Sequence, residues 1–389
     1  MVDFTINEKE QAIIDEIHKE GLVCRKYARY YDVNETEIPP EAFPEAKDFD
    51  HIDAMFLDRG EDACGATVFG ILALMHRNWG DHLGLRLPVR ALGNSSLDAA
   101  GTPEQKEKWG NTVLAMANTE PGCGSDSKAI ETTAVLDGEE WVLNGEKIFV
   151  TTGIRAEGVV VWATLDKSAG RPGIKAFVVM KGTPGMEMSK KEKKLGIRVS
   201  DTAAFVLKNC RIPRENLLGL NEEIKKKGGG SFKGLMKTFN LSRPATAAIG
   251  LGNVMAARDF VLEALEKEGV PVDWEAGPHK RSAIQQKLID MEAELEVAIL
   301  ATHRSSWLAD QGKSNNLEAS ISKSKGGDAC RVSVKLALEV LGALGMTEDQ
   351  LVEKWFRDAR ITDIYEGTGE IQKLIIARQI LGYTAADLQ

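Results

Sequence analysis

Between Asn7 and Tyr31, Ala12, Ile13, Ile14, Ile17, Leu22 and Val23 recur among charged residues at helical spacing, and Asn7 can cap the start. Pro39, Pro40 and Pro44 end that pattern. Val68, Ile71, Leu72, Leu74 and Met75 predict a second helix, and Leu83 to Leu97 a third despite Pro88. Thr102-Pro103-Glu104 opens a fourth, where threonine caps, proline fits the first turn and glutamate suits the positive dipole end. After Thr119 the texture changes to short β-branched or aromatic runs beginning at Thr132, Trp141, Lys147, Val159, Ile174 and Ala204. Asp-Gly, Asn-Gly and Pro-Gly pairs separate them, which is the punctuation of antiparallel hairpins. Lys225 to Ser231 reads as a flexible polar connector. From Gly234 the helical period returns: Ile284, Leu288, Met291 and Leu295 share one face, as do Leu336, Val340, Leu341 and Leu344 of a later helix. Residues 266–278, with Gly269, Pro271, Gly277 and Pro278, form a loop between them. The expected organisation is helical over 1–114, β over 115–225 and helical over 226–389.

Composition adds limits to this picture. A chain of 389 residues, 43% hydrophobic, has room for two or three domains with a sizeable core. The net charge of -9 argues against a general nucleic-acid or membrane-surface binder, although local basic runs can meet a phosphorylated ligand. Five scattered cysteines, Cys24, Cys64, Cys123, Cys210 and Cys330, lack metal-ligand spacing and read as reduced thiols, so no metal is expected. The start of the chain has no apolar core after a basic stretch, so it is not a secretory signal, and no uncharged run approaches about 18 residues. The expected location is cytoplasmic.

The most informative stretch runs from Ile361 to Arg378, with Glu366 at its centre. Ile364 and Tyr365 are bulky enough to exclude water, while Gly367 and Thr368 let backbone approach a ligand and can start a helix. The residues alone leave two roles open for Glu366: a desolvated general base, or a carboxylate answering the helix macrodipole. Tyr365-Glu366-Gly367-Thr368, followed by Ile371-Gln372 and Ala377-Arg378, resembles the catalytic signature of acyl-CoA dehydrogenases. In that family the matching glutamate removes the substrate α-proton.

Other segments carry the same resemblance. Thr119-Glu-Pro-Gly-Cys-Gly-Ser-Asp126 by itself is a glycine-rich loop joining helix to sheet. It is similar to the family's Thr-Glu-Pro-x-x-Gly-Ser-Asp segment, which implies flavin contacts from Thr119, Gly124 and Ser125, with Ser125 also near acyl-CoA. Phe149-Val-Thr-Thr-Gly153 ends a strand, and the resemblance puts Phe149 where relatives carry a tryptophan over the flavin and Thr151 at the flavin N5 position. Leu195 to Ser200 is similar to a segment near the CoA chain, where Arg198 and Ser200 are suited to a phosphate. Phe239 to Ala245 resembles a helix start close to the acyl-CoA, with Ser242 and Arg243 as substrate contacts and Asn240 where relatives commonly have Asp. By the same carry-over Tyr365 and Gly367 face substrate and Thr368 the cofactor. Arg86 and Arg90 lie in the region that lines the acyl pocket in relatives, or simply on a solvated helix face. The family's Gly-Gly segment is missing near Phe49 to Met55.

The departures cluster at the far end of the cofactor. The family's Arg-x-x-Phe-Gly loop, which binds the FAD pyrophosphate and adenosine, has no counterpart in 267–287, and Ser282 replaces a glutamine. Gln-x-x-Gly-Gly-x-Gly reads Glu339-Val-Leu-Gly-Ala-Leu-Gly345, which places a carboxylate where a diphosphate is expected. Lys280 and Arg281 are the alternative anchors.

The resemblance implies an acyl-CoA dehydrogenase-like fold: an N-terminal helical domain, a middle antiparallel β domain and a C-terminal four-helix-bundle domain. It implies an FAD flavoprotein that converts an acyl-CoA thioester to a 2-enoyl-CoA, with Glu366 as base, hydride passing to flavin N5, an electron-transfer flavoprotein as acceptor, and a homotetramer or homodimer. The departures motivate two alternatives: a subunit of a mixed dehydrogenase complex with weakened or shared FAD binding, or an acyl-CoA oxidase or enoyl-CoA reductase variant.

Overall fold

The computed structural model describes residues 4–224, 230–384 and 387. Most of the Lys225–Ser231 connector lies outside the described residues. The chain divides into two compact units, one of residues 1–87, 194–199 and 240–389, the other of 88–193 and 200–239. Packing therefore groups the helices before residue 88 with the C-terminal ones, in line with the helical domains packing together that the family resemblance implies, and puts residues 88–114 with the sheet.

The first unit is helical. Helix α1 (Glu8–Val33) starts with a capping box: the Asn7 side chain accepts from the Glu10 amide, and the Glu10 carboxylate answers the Asn7 amide. Helix α3 (Ala66–Gly80) follows the short α2 (His51–Leu57). The amides of Thr67 and Val68 at its start donate to Asp310 at 2.8 and 3.0 Å, a carboxylate placed at the positive dipole end. Gly21 and Gly80 let α1 and α3 touch, since a Cβ on Gly80 would lie 2.4 Å from the Gly21 Cα. Along this seam the His18 and His76 rings meet at 2.6 Å, and His18 stacks on Trp79.

The part of the long helix α6 (Gly230–Lys267) from Asn240 onward builds the main core of this unit with α7 (Ala283–Asp310), α8 (Asn316–Leu341) and α9 (Val352–Ala359). Leu288, Met291 and Leu295 are buried on one face of α7, as their spacing requires. Each such leucine contributes about 1.5–3 kcal/mol by burial. Helix α8 buries small residues instead, among them Ala319, Ser320, Ser322, Gly326 and Gly327, so its neighbours approach closely. Pro244 corrects one expectation: it lies inside α6, not at a helix start. Proline has no N–H for the carbonyl four residues earlier, and that carbonyl, of Asn240, instead accepts from Asn315 Nδ2 at 3.3 Å.

The second unit contains helices α4 (Leu92–Ala100) and α5 (Pro103–Trp109) and a seven-stranded sheet. The third predicted helix is shorter than expected, because residues 83–91 are not helical. Phe43 and Leu87 amides exchange strand-like bonds there with the Leu85 and Glu41 carbonyls, and Pro88 disfavours helix in the residue before it. Thr102 and Gln105 form a capping box on α5.

The strands are β1 (Leu114–Ala117), β2 (Thr133–Asp137), β3 (Glu140–Thr151), β4 (Gly158–Thr164), β5 (Ile174–Met180), β6 (Met186–Lys191) and β7 (Thr202–Pro213). They run in the order β1-β4-β2-β3-β7-β6, with β5 paired to β4. Pairing is antiparallel except where β4 meets β1 and β2. The Trp141 and Lys147 runs are one strand, not two. Gly145 sits at a register shift inside β3 with φ +155°, and a Cβ there would strike Thr132 at 2.3 Å, so Asn144-Gly145 is a bulge and not a turn.

Candidate active site

The 3₁₀ turn Arg360–Asp363 leads into a loop that ends at helix α10 (Gly369–Leu381). Glu366 stands in this loop with φ +55°, followed by Gly367 at +94°. A glutamate in the left-handed region stores on the order of 1–3 kcal/mol of strain, and surroundings that over-determine it must hold it there. Three polar contacts do so. Gln372 Nε2, fully buried, donates to the Gly367 carbonyl at 3.1 Å and to the Glu366 carbonyl at 3.4 Å. Lys323 Nζ, from α8, donates to the Gly367 carbonyl at 3.2 Å. Among the described residues the Glu366 amide itself forms no hydrogen bond.

Around the carboxylate, Ser242 Oγ donates to Glu366 Oε2 at 3.1 Å. Arg243, buried on α6, bonds Asn240 and Ser320 at 3.4 Å, and Tyr365 donates from its hydroxyl to the Thr246 carbonyl at 3.3 Å. Burial raises the Glu366 pKa above the usual carboxylate range, against the Ser242 hydrogen bond and the charges of Lys323 and Arg243. Burial also lowers Lys323 to about 8, opposed by Asp363 and Glu366. It lowers Arg243, opposed by Glu366, and raises the Tyr365 phenol. The site thus holds a carboxylate that is costly to ionise beside two cations that are costly to charge. This combination suits a proton acceptor, whose gain of a proton relieves the desolvation.

Six of the residues singled out in the sequence, Ser242, Arg243, Tyr365, Glu366, Gly367 and Thr368, come together here. Thr368 Oγ1 caps α10, accepting from the Ile371 amide at 3.4 Å. Ile364 departs from its expected role as a water shield, being 47% exposed. Arg198 belongs to the same unit but is engaged with other residues. Its Nε donates to the Lys194 carbonyl at 2.9 Å, and Asp32 and Glu35 lie at 3.9 and 3.8 Å. Lys323 escaped the sequence reading because a lysine inside a run of serines looks solvent-facing. The signal was the density of small residues around it, which marks a closely packed helix.

The flavin-edge candidates lie in the other unit. A buried ion pair, Lys147 Nζ to Glu120 Oε1 at 2.6 Å, anchors their loop, and Glu120 also accepts from the amides of Glu131 and Thr132 at 2.7 and 3.0 Å. Burial alone would raise Glu120, but Lys147 outweighs it and keeps the carboxyl low. On this anchored frame Gly124, Ser125 and Thr151 are exposed, and Phe149 is 60% exposed with φ +55°. Among the described residues the hydroxyls of Thr119, Ser125 and Thr151 have no protein partner, and Asn118 Oδ1 is buried without one. Open hydroxyls beside an uncovered aromatic ring fit a flat heteroaromatic group with hydrogen-bonding edges.

The segments expected at the adenosine end serve local structure. Ser282 caps α7, accepting from the Gln285 amide at 3.1 Å. Arg281 Nε donates to the Ala276 carbonyl at 2.8 Å, while Lys280 is exposed. Glu339 is paired with Lys287 at 2.6 Å and Lys335 at 3.2 Å, which offsets its charge. Among the described residues no helix is long and apolar enough to cross a membrane, and no cluster of metal-ligating side chains occurs.

Residues 115–210 match the family model "Acyl-CoA dehydrogenase, middle domain" and residues 229–381 "Acyl-CoA dehydrogenase, C-terminal domain". Rattus norvegicus short-chain specific acyl-CoA dehydrogenase, mitochondrial, is 39% identical over 290 residues, covering 72% of this chain and 67% of its own. Acryloyl-CoA reductase (NADH) of Anaerotignum propionicum is 35% identical over 306 residues, covering 76% and 74%. The structure of butyryl-CoA dehydrogenase from Megasphaera elsdenii superposes with TM-score 0.77 at 29% identity, covering 98% of this chain and all (100%) of that one.

Proposed function

This chain belongs to the acyl-CoA dehydrogenase family of oxidoreductases, and from that premise we propose that it desaturates the α,β bond of an acyl-CoA thioester with Glu366 as base. Short acyl chains are the class named for the mitochondrial relatives. The observation that carries the reading is the Glu366 carboxylate: desolvated, bonded by Ser242 and held in a left-handed turn whose amide is left unbonded. Bound FAD would supply the acceptor for the β-hydrogen and its electron pair, with an electron-transfer flavoprotein or similar acceptor as the partner. Thr119, Gly124, Ser125, Phe149 and Thr151 would hold its ring.

Within this scheme the chain's own groups do three things. The Glu366 amide donates to the thioester carbonyl, which acidifies the α-carbon. The carboxylate then takes the α-proton and becomes neutral, the form that its buried surroundings favour. Ser242, Arg243 and Lys323 keep it ionised until then. Activity should fall as pH drops through the raised Glu366 value, above the ordinary carboxylate range. Glu366→Gln should lower kcat by about a hundred- to ten-thousandfold with the flavin spectrum unchanged. Full turnover by that variant with a competent acyl-CoA and an artificial acceptor would end the assignment.

A second reading runs the site in reverse as an enoyl-CoA reductase, and similarity to the acryloyl-CoA reductase supports it. Assays of one preparation with acyl-CoA plus oxidant, and with enoyl-CoA plus reductant, decide between the two. The segments at 280–282 and 339 keep the mixed-complex reading in play. Purified chain that shows no flavin bands even after FAD is added would favour it.

A further inference from the structure

Lys323 is fully buried in the middle of α8, where an unpaired ammonium is expensive, yet among the described residues no carboxylate bonds it. Among the described residues its partners are the Gly367 carbonyl at 3.2 Å and the Tyr365 ring at 5.8 Å. The charged or titratable groups facing it are Asp363 in the 3₁₀ turn before the loop, Glu366 and Tyr365 in the loop, Cys330 on its own helix, and Arg243 on α6. Asp363 is paired with Arg360 at 3.2 Å, which leaves the Glu366 loop as the place where the Lys323 charge is felt without a competing cation bond.

We infer that Lys323 is the positioning residue of the catalytic carboxylate: its ammonium and Gln372 grip the Gly367 carbonyl together, hold Glu366 in its left-handed turn, and keep that carboxylate ionised in an apolar surround. The geometry separates two tasks. The hydrogen bond fixes the peptide that aims Glu366, and the positive charge acts on the carboxylate through space. Loss of the donor misplaces the base, and loss of the charge makes the base harder to ionise. The inference rests on Glu366 being the base, and its test separates the two.

The test uses the full-length holoenzyme. Isotope-edited infrared titration follows the protonated-carboxyl band that Glu366→Gln removes, beside kcat and KM profiles against pH with an acyl-CoA and an artificial acceptor. Lys323→Gln keeps a donor and removes the charge, and should move the band midpoint and the acid limb of kcat up by about one pH unit. KM should stay within about threefold, since substrate binding does not use the lysine. Lys323→Met removes donor and charge, and should show the same shift with kcat at the plateau lower by a further factor of about ten. Lys323→Arg should restore the midpoint. If Lys323→Met fails to fold, Lys323→Gln carries the comparison. A midpoint unchanged in both neutral variants, or a loss confined to KM, overturns the inference. If Glu366→Gln keeps full turnover while the band still moves, the base assignment fails and the electrostatic coupling stands.

Discussion

Two lysines of the helix-rich unit are almost wholly buried, Lys323 at 0% and Lys354 at 2% exposure, and the protein treats them in opposite ways. Lys354 Nζ lies 2.7 Å from Asp81 and 2.5 Å from Asp358. Those carboxylates are themselves bonded by the amides of Leu83 and Ile197, at 3.0 and 2.5 Å. Burial alone would depress the Lys354 pKa, but Asp358 and Asp81 reverse that and raise it. Lys323 has a carbonyl and a ring in place of carboxylates, and burial brings it down to about 8. A cluster whose charges are all answered serves the fold. One whose charges are left in tension, next to a carboxylate in strained backbone, suits the proton transfer proposed for Glu366.

The contrast breaks first at Lys354. Lys354→Met leaves two buried carboxylates without their cation and should cost about 3–5 kcal/mol in denaturant unfolding, while the flavin edge, in the other unit, keeps its spectrum. The same change at Lys323 should be far milder. Lys323→Met removes a charge that burial already penalises, so stability at neutral pH should stay within about 1 kcal/mol of the wild type or exceed it, even as turnover falls. The pH dependence sharpens the distinction. Lys323 is lowered in the fold, so between about 8 and its unfolded value near 10.4 the unfolded chain holds a proton that the native state has released, and stability rises with pH. Lys354 is raised, so its contribution is complete below about 10.4 and lost above it. Unfolding measured from neutral to alkaline pH should therefore lose its rising phase in Lys323→Met. Retention of that phase would mean that another group is responsible.

Much of this was readable from the chain. Asn7 and Thr102 are side chains that satisfy backbone amides within three residues, and Leu288, Met291 and Leu295 obey a purely local period, so these features need no tertiary information. The Tyr365–Thr368 loop was legible because its residue types are unusual together. What stayed hidden depended on distant partners. Strand β6 is an edge strand, largely exposed, whose apolar alternation of Met186 and Met188 stops at Lys190 and Lys191. Strand β1 is too short to announce itself at four residues. Pro244 looked like a helix start because only Asn315, 71 positions on, makes it tolerable inside one. Lys323 needed the fold to show that its helix is enclosed.

The seam between α1 and α3 has a consequence for life in acid. At 2.6 Å, His18 and His76 can share only one proton, and burial lowers both, with His76 and nearby His303 at about 4. An unfolded chain protonates these imidazoles near 6.5. As pH falls from there, the unfolded state takes up protons that the native seam refuses, and stability drains away before most carboxylates have begun to titrate. Urea midpoints should therefore decline between about pH 6.5 and 4, and should decline less when His76 is replaced by Phe. Mild acidity is then a condition that weakens the native state through this seam.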